Sequence, residues 1–308
     1  MDHWQYPDSV SIKEVGPRDG LQAEPRVMDT AYKIQLVDQL SAAGLPRIEV
    51  TSFVSPEWLP QMADAQAVME GIARRPGTIY SVLVPNLKGA ERALACHPDE
   101  ITLFLSASQT HNMKNVHRTI EDSLDGFHRI MDRVAGTVHV SAVIVTAFGC
   151  PYEGTVPEAN VLDLAKELRN LGITEMTLGD TVGVAHPRQV FDLVRRFMTE
   201  LQDVQLGLHF HDNRGTALAN LVAALTAGAS RFETALGGIG GSPFSPGAGG
   251  NLATDDAVYL LESMGVHTGV DLERLIAITG GLVDRLEHPV PSRVYQAGGR
   301  MVPKGVPS

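Results

Sequence analysis

The most constraining feature of the sequence is a regular alternation of short β-rich runs with longer segments of helical periodicity. Eight runs recur, each followed by a helical segment: SIKEVG, RIEVTSF, TIYSVLVPN, DEITLFLSAS, TVHVSAVIVTAFG, EMTLGDTVG, VQLGLHFHD and RFETALGG. Strands that alternate with helices pair in parallel, and eight such units favour a closed barrel over an open doubly wound sheet. The sequence therefore predicts an α/β fold, a (β/α)₈ TIM barrel.

Residues at the helix ends support this division into βα units. Asp29 precedes a helical run as an N-cap, Gly44 follows that run as a C-cap glycine, and Pro187 opens the helix after the sixth strand. No polar linker divides the chain, so we expect a single domain over residues 1–308. The barrel is expected over about 10–265, with a small C-terminal helical extension and tail over about 266–308.

Composition narrows the possible partners and compartment. The 308 residues are 44% hydrophobic and 20% charged, with a formal net charge of −11, which argues against a nucleic-acid-binding surface. Two cysteines are too few for a disulfide scaffold and fit a reducing environment. We identify no signal, transit or membrane segment, and expect a cytoplasmic protein that binds neither nucleic acid nor membrane.

The seventh run predicts a metal site. In LHFHD, His209 and His211 are two residues apart on a strand, so both imidazoles point to one face near its C-terminal end. Asp19 follows the first strand and Asn251 follows the eighth, and barrel closure brings both beside the seventh. Their oxygen and nitrogen ligands suit Mg²⁺ or Mn²⁺, and a substrate oxygen bound to that ion would be polarised.

Further polar residues end the neighbouring strands. Arg18 lies beside Asp19 with Gln22 close by, and its guanidinium can stabilise negative charge on a carbonyl or enolate oxygen. Asp180 is a candidate base for a substrate hydroxyl. The same rim is predicted to carry Glu49, Ser52 and Thr181. Glu49 can orient Arg18 through an ion pair.

Two loops complete the predicted barrel mouth. The loop after the fourth strand is basic, which suits phosphates or a carboxylate, and contains His111, Lys114, Asn115, His117 and Arg118. An exposed helix start is the alternative interpretation of that loop. The segment GGIGGSPFSPGAGG after the eighth strand combines glycine freedom with proline restraint, a composition typical of a hinged lid.

Together these motifs closely resemble the 3-hydroxy-3-methylglutaryl-CoA lyases, from about Ser11 to His288. The resemblance is carried by EVGPRDGLQ, TSFVSPEWLPQM, PNLKG, GCPYEG, LGDTVG, HFHD and GNLATDDAVYLLESMGVHTGV. It implies retro-Claisen cleavage of a 3-hydroxyacyl-CoA. It also implies that Asp19, His209, His211 and Asn251 hold the ion, that Arg18 stabilises the enolate, and that Asp180 with His209 moves the hydroxyl proton. Glu49, Ser52 and Asp255 match supporting or substrate-contact positions.

The departure from the family pattern that bears most on catalysis lies in the glycine-rich loop. The glycine-rich loop of these lyases presents a cysteine that protonates the enolate, and Ser242 stands there in this chain. An alkyl hydroxyl is a weaker acid than a thiol of pKa ~8.5, so either Ser242 relays a proton from water, another group acts, or the reaction differs. Alternatives are therefore a lyase for citramalyl-CoA that gives pyruvate, a condensing synthase such as the isopropylmalate branch, and a non-catalytic CoA- or metal-binding protein. A homodimer or higher homo-oligomer is expected by analogy alone.

Overall fold

The computed structural model describes residues 6–241 and 250–299. In these ranges eight strands form one closed barrel in sequential order, and every neighbouring pair is parallel, including the first with the last. The strands are β1 Ser11–Glu14, β2 Arg47–Ser52, β3 Ile79–Leu83, β4 Glu100–Ser106, β5 His139–Val145, β6 Glu175–Asp180, β7 Gln205–Phe210 and β8 Arg231–Thr234. The predicted (β/α)₈ TIM barrel is confirmed.

Helices surround the barrel. They are α1 Thr30–Ala42, α2 Ala65–Gly71, α3 Leu87–Leu94, α4 Gln109–Val116, α5 Ile120–Val134, α6 Glu158–Asn170, α7 Pro187–Glu200, α8 Ala217–Thr226, α9 Thr254–Ser263, α10 Leu272–Leu286 and α11 Arg293–Gln296. The last two follow α9 in the region where the sequence predicts a C-terminal helical extension. Its boundary near residue 265 stays a prediction. Among the described residues, no helix is long and apolar enough to cross a membrane.

Local sequence signals set several helix ends as predicted. The Asp29 side chain accepts a hydrogen bond from the Tyr32 N–H at the start of α1. Gly44 adopts a φ of +90° just after the end of that helix, and Pro187 begins α7. After β4 the chain forms two helices rather than one, because His117 ends α4 at a φ of +55° and Thr119 begins α5 with a capping box.

The interior of the barrel is polar. Lys13 of β1 donates hydrogen bonds across the barrel to Glu100 and Thr102 of β4, each over 3.2 Å, so these side chains meet inside the ring of strands. The alternate residues of the strands, such as Ile12 and Ile48, are buried in the apolar layer beneath the helices. Barrel interiors are normally filled by branched apolar side chains, so this interior differs from the usual packing.

Candidate metal centre

Asp19 is placed by a tight turn directly after β1. The turn is π-helical over Gly16–Gly20, and the Val15 carbonyl accepts the N–H groups of Arg18, Asp19 and Gly20. π-helical turns are rare and occur frequently at functional sites. The turn carries both Arg18 and Asp19 to the C-terminal mouth of the barrel, where the sequence places them.

The two histidines of β7 lie side by side. The ring centroids of His209 and His211 are 5.1 Å apart, and both side chains are buried. Nδ1 of His209 lies 3.2 Å from Oε2 of Glu233, a contact that fixes the imidazole and leaves Nε2 for an ion. Nδ1 of His211 is buried without a hydrogen-bond partner among the described residues. This histidine therefore has a nitrogen free to bind an ion.

Backbone pairing brings Asn251 next to His211. The Leu252 N–H donates to the Phe210 carbonyl over 2.9 Å, and the Asp212 N–H donates to the Gly250 carbonyl over 2.8 Å. The Asn251 amide nitrogen donates to Oδ2 of Asp19 over 2.8 Å, while its Oδ1 is buried and unpaired among residues 6–241 and 250–299. An orphaned buried oxygen costs stability unless a cation or donor satisfies it.

Gly240 allows Asn251 to approach Asp19. Its φ is +99°, and a Cβ there would lie 2.6 Å from Nδ2 of Asn251 and 3.2 Å from the Asp19 carbonyl oxygen. Only glycine adopts this conformation without strain and leaves that space open. The position is consistent with a site assembled from the two ends of the barrel sequence.

The donors fit a divalent ion. One ligand atom each from Asp19, His209 and His211 lies within 4.8 Å of the others. Burial opposes ionisation of Asp19, but Arg18 and the two histidines outweigh it and hold its pKa at about 2. Burial and then the neighbouring His209 lower the pKa of His211 to about 4, so it is neutral, as a metal ligand must be. Carboxylate, amide and imidazole donors suit a hard or borderline ion.

Arg18 is held beside this centre by two carboxylates. Its Nε donates to Oε2 of Glu49, and its Nη1 donates to Oδ1 of Asp19 over 2.6 Å. The pairing of Glu49 with Arg18 was an expectation from sequence, and both side chains are buried. Gln22 donates to the same Asp19 oxygen over 3.0 Å. The guanidinium is thus oriented toward the predicted ion site.

Asp180 lies fully buried at the end of β6. Its two oxygens accept the N–H groups of Val184 and Ala185, over 2.9 and 3.0 Å. Burial raises its pKa to about 6 in spite of these hydrogen bonds. A carboxyl group with a pKa this close to neutrality can exchange a proton at physiological pH.

The remaining predicted substrate contacts are divided between strand ends and α4. Ser52 accepts the Val54 N–H over 3.3 Å, and Thr181 accepts the Thr146 N–H over 2.9 Å. Lys114 and Asn115 are exposed on α4, and Nζ of Lys114 lies 4.8 Å from the centre of the Tyr152 ring. Their contact with substrate stays a prediction.

Asp255 and Ser242 are the last two residues predicted for the site. Asp255 is fully buried, and its oxygens accept the Gly237 N–H over 2.8 Å and the Thr279 hydroxyl over 2.7 Å. Both oxygens are thereby engaged by the chain itself, so Asp255 stabilises the turn after β8, and a substrate contact there stays a prediction. Ser242 and most of the predicted lid lie in 242–249, outside the described residues.

Glu233 is a residue of this site that was not predicted from the sequence. This residue is the third of the four residues of β8, and the parallel pairing of β7 with β8 makes it the register partner of His209. The period of two along RFET and the closure of the barrel were sufficient to place it on the inner face.

Comparison with known proteins agrees with this geometry. The family model described as HMGL-like matches residues 9–281. The hydroxymethylglutaryl-CoA lyase of Bacillus subtilis is 45% identical over 94% of this chain and 98% of its own. The mitochondrial hydroxymethylglutaryl-CoA lyase of Rattus norvegicus is 45% identical over 94% of this chain and 90% of its own.

A solved structure is similarly close. The HMG-CoA lyase of Acinetobacter baumannii, in complex with coenzyme A and 3-methylmalate, superposes with a TM-score of 0.93. It is 44% identical and covers 97% of this chain and 98% of its own.

Proposed function

The chain belongs to the HMGL-like family of carbon–carbon lyases, and from that premise we propose that it cleaves 3-hydroxy-3-methylglutaryl-CoA. The products are acetyl-CoA and acetoacetate. The observation that carries this proposal is the convergence of Asp19, His209, His211 and Asn251 beside the guanidinium of Arg18. These four residues would hold Mg²⁺ or Mn²⁺, which polarises substrate oxygens when bound.

The proposed chemistry is a retro-Claisen step. Asp180 accepts the proton of the tertiary hydroxyl, with His209 assisting its transfer. The O–H electron pair forms the new carbonyl, the adjacent carbon–carbon bond breaks, and its electron pair passes to the acetyl-CoA enolate. Arg18 offsets the charge on the enolate oxygen. Glu49 keeps Arg18 in place through its buried ion pair.

The substrate is held as an acyl-CoA thioester. Gln22, Ser52 and Thr181 surround the reacting end in this proposal, and Lys114 and Asn115 meet the anionic part of CoA. Ser242 takes the position of the family's cysteine and relays a proton from water to the enolate carbon. We propose the cytoplasm as compartment and a homo-oligomer as assembly.

The test is release of acetyl-CoA from 3-hydroxy-3-methylglutaryl-CoA by protein loaded with Mn²⁺. We expect chelation to abolish turnover and Asp19→Asn to lower kcat at least about 100-fold, because that change removes the carboxylate ligand. Asp163→Asn is the matched control, since that exposed aspartate on α6 pairs only with Lys166 among the described residues. Turnover that persists without metal would refute the proposal.

A second candidate substrate is citramalyl-CoA, which would give pyruvate. Two observations favour testing it: Ser242 replaces the family's cysteine, and a close relative binds 3-methylmalate, a methyl-branched hydroxydicarboxylate. Both thioesters should be assayed with the natural protein and with Ser242→Cys. If Ser242→Cys alone cleaves the hydroxymethylglutaryl compound rapidly, the natural substrate is a different 3-hydroxyacyl-CoA.

A further inference from the structure

Lys13 lies in the middle of the polar barrel interior. Lys13 is 6% exposed, and its Nζ donates to Oε1 of Glu100 and to the Thr102 hydroxyl. Two other carboxylates lie within ion-pair range of the same nitrogen: Oε1 of Glu233 at 3.7 Å and Oε1 of Glu49 at 3.9 Å. One ammonium group is therefore shared by three buried glutamates from three different strands.

Two of these glutamates face the candidate metal centre with their second oxygen. Oε2 of Glu49 accepts the Arg18 Nε–H, and Oε2 of Glu233 lies 3.2 Å from Nδ1 of His209. Among the described residues, Lys13 itself forms no hydrogen bond or ion pair with Arg18 or His209. Each carboxylate thus connects Lys13 on one side to a residue of the proposed chemistry on the other.

Without the ammonium group, these glutamates would lie close together in a site that water does not screen. Burial opposes the charged form of Lys13, but Glu100, Glu233 and Glu49 outweigh it and hold the lysine pKa above its ordinary value. Arg47, the first residue of β2, forms a second ion pair with Glu100 and partly neutralises it. Among residues 6–241 and 250–299, the Lys13-facing oxygen of Glu49 has no second cationic partner, and that of Glu233 accepts only the Thr177 hydroxyl, over 3.0 Å, in addition to Lys13.

We propose that Lys13 is a positioning residue for the metal centre, because it holds Glu49 and Glu233 in the orientation that fixes Arg18 and His209. The inference rests on the proposed function for the roles of those two residues. Loss of the ammonium group lets the two carboxylates turn apart, which loosens the imidazole ligand and the guanidinium together.

The experiment compares Lys13→Met with Lys33→Met. Lys33 is also buried, 3% exposed, and its Nζ pairs with Asp64 at 2.6 Å, but this contact joins α1 to the segment before α2. Mn²⁺ affinity is measured by titration, with free Mn²⁺ quantified from its electron paramagnetic resonance signal. Steady-state kinetics give kcat and KM separately. We expect Lys13→Met to weaken Mn²⁺ binding and lower kcat by about 10-fold to 100-fold each, the usual effect of losing an outer-shell partner.

The control and a conservative variant separate positioning from general stability. Lys33→Met should lower the unfolding temperature but leave Mn²⁺ affinity and kcat unchanged. Lys13→Arg should restore most of both. KM for the thioester should change little in Lys13→Met, since Arg18 acts mainly on charge that develops during the reaction.

A gentler variant covers the case in which Lys13→Met does not fold. Thr177→Val removes only the hydroxyl that shares Oε1 of Glu233, and should weaken Mn²⁺ binding by a smaller factor. Wild-type Mn²⁺ affinity in folded Lys13→Met, or in Thr177→Val when Lys13→Met does not fold, would overturn the proposal. Natural protein that binds Mn²⁺ but releases no acetyl-CoA would instead refute the proposed function and leave the positioning role measurable by Mn²⁺ affinity.

Discussion

Asp180 has the environment of a proton acceptor that works near neutral pH. It is fully buried, and burial raises its pKa to about 6, whereas an ordinary aspartate has a pKa of 3.8. A base must be ionised to act, so kcat/KM should be constant above about pH 6 and fall about tenfold per pH unit below it. The measurement is kcat/KM from about pH 5 to about pH 8 with the best thioester substrate.

Asp180→Asn tests the same role by substitution. The amide cannot accept the proton, and we expect kcat to fall by about 10²-fold to 10⁴-fold, the usual contribution of a general base. The acid limb of the pH profile should disappear from whatever activity remains. Asp163→Asn should retain both the rate and the limb. A natural protein whose kcat/KM stays constant down to about pH 5 would assign the base to another residue.

For single residues of the site, the sequence predicts which side chains meet at the barrel mouth better than it predicts their hydrogen bonds. Alternation along LHFHD placed His209 and His211 on one face, and barrel closure brought Asp19 and Asn251 to them. The π-helical turn that carries Asp19 has no recognisable sequence signal. The engagement of both Asp255 oxygens was equally hidden, because it depends on Thr279 in a helix far along the chain.

Among the elements, Glu14 joins the two ends of the barrel sequence. It ends β1, and its Oε1 accepts the N–H groups of Gly16 and of Leu236, which begins the 3₁₀ turn after β8. Its Oε2 accepts the hydroxyl of Thr254 at the start of α9 over 2.6 Å. This single buried carboxyl group therefore connects the turn that bears Asp19 to the segment that follows Asn251.

The pKa of Glu14 makes this connection pH-dependent. Burial, with a smaller contribution from Asp255, raises the pKa from 4.5 to about 7. The folded state then binds more protons than the unfolded state between these values, so stability falls as pH rises through that window. The full difference corresponds to about 3 kcal/mol at 1.36 kcal/mol per pKa unit.

Glu14→Gln should remove much of this dependence. The amide oxygen can still accept the N–H groups of Gly16 and Leu236, and the amide nitrogen can donate to the Thr254 hydroxyl, which also bonds to Thr234. Urea unfolding at pH values from about 5 to about 8 should show a flatter profile for the variant and greater stability than the natural protein at the upper end. An equally steep fall in Glu14→Gln would assign the pH dependence to other groups.

The pattern of elements was more predictable than the filling of the barrel. Asp29, Gly44 and Pro187 marked helix ends because each satisfies a local requirement of the backbone. The shared contacts of Lys13 depend instead on which side chains of β2, β4 and β8 reach the barrel interior at the level of Lys13. That level is set by strand register, which the sequence alone did not establish. One lysine and three glutamates within the β-rich runs were the available signal.

At the scale of the whole molecule, the candidate metal ligands come from both ends of the barrel. Asp19 follows β1, His209 and His211 belong to β7 and its end, and Asn251 follows β8. The first strand, β1, pairs with the last, β8, to close the barrel. An ion at these ligands would therefore connect the two parts of the barrel that are farthest apart in sequence. Binding of the ion should therefore stabilise the closed fold.

This connection gives a prediction that needs no substrate. An ion that binds only the folded state at 100 times its dissociation constant stabilises it by about 2.7 kcal/mol, and we expect the unfolding temperature to rise by about 5 °C or more. His211→Gln should lose most of that rise relative to its own metal-free state. His128→Gln, a change at an exposed histidine on α5, should keep it. The rise should scale with the logarithm of Mn²⁺ concentration, as binding to the folded state requires. An equal rise in His211→Gln would place the ion elsewhere, away from the ends of the barrel that it is proposed to join.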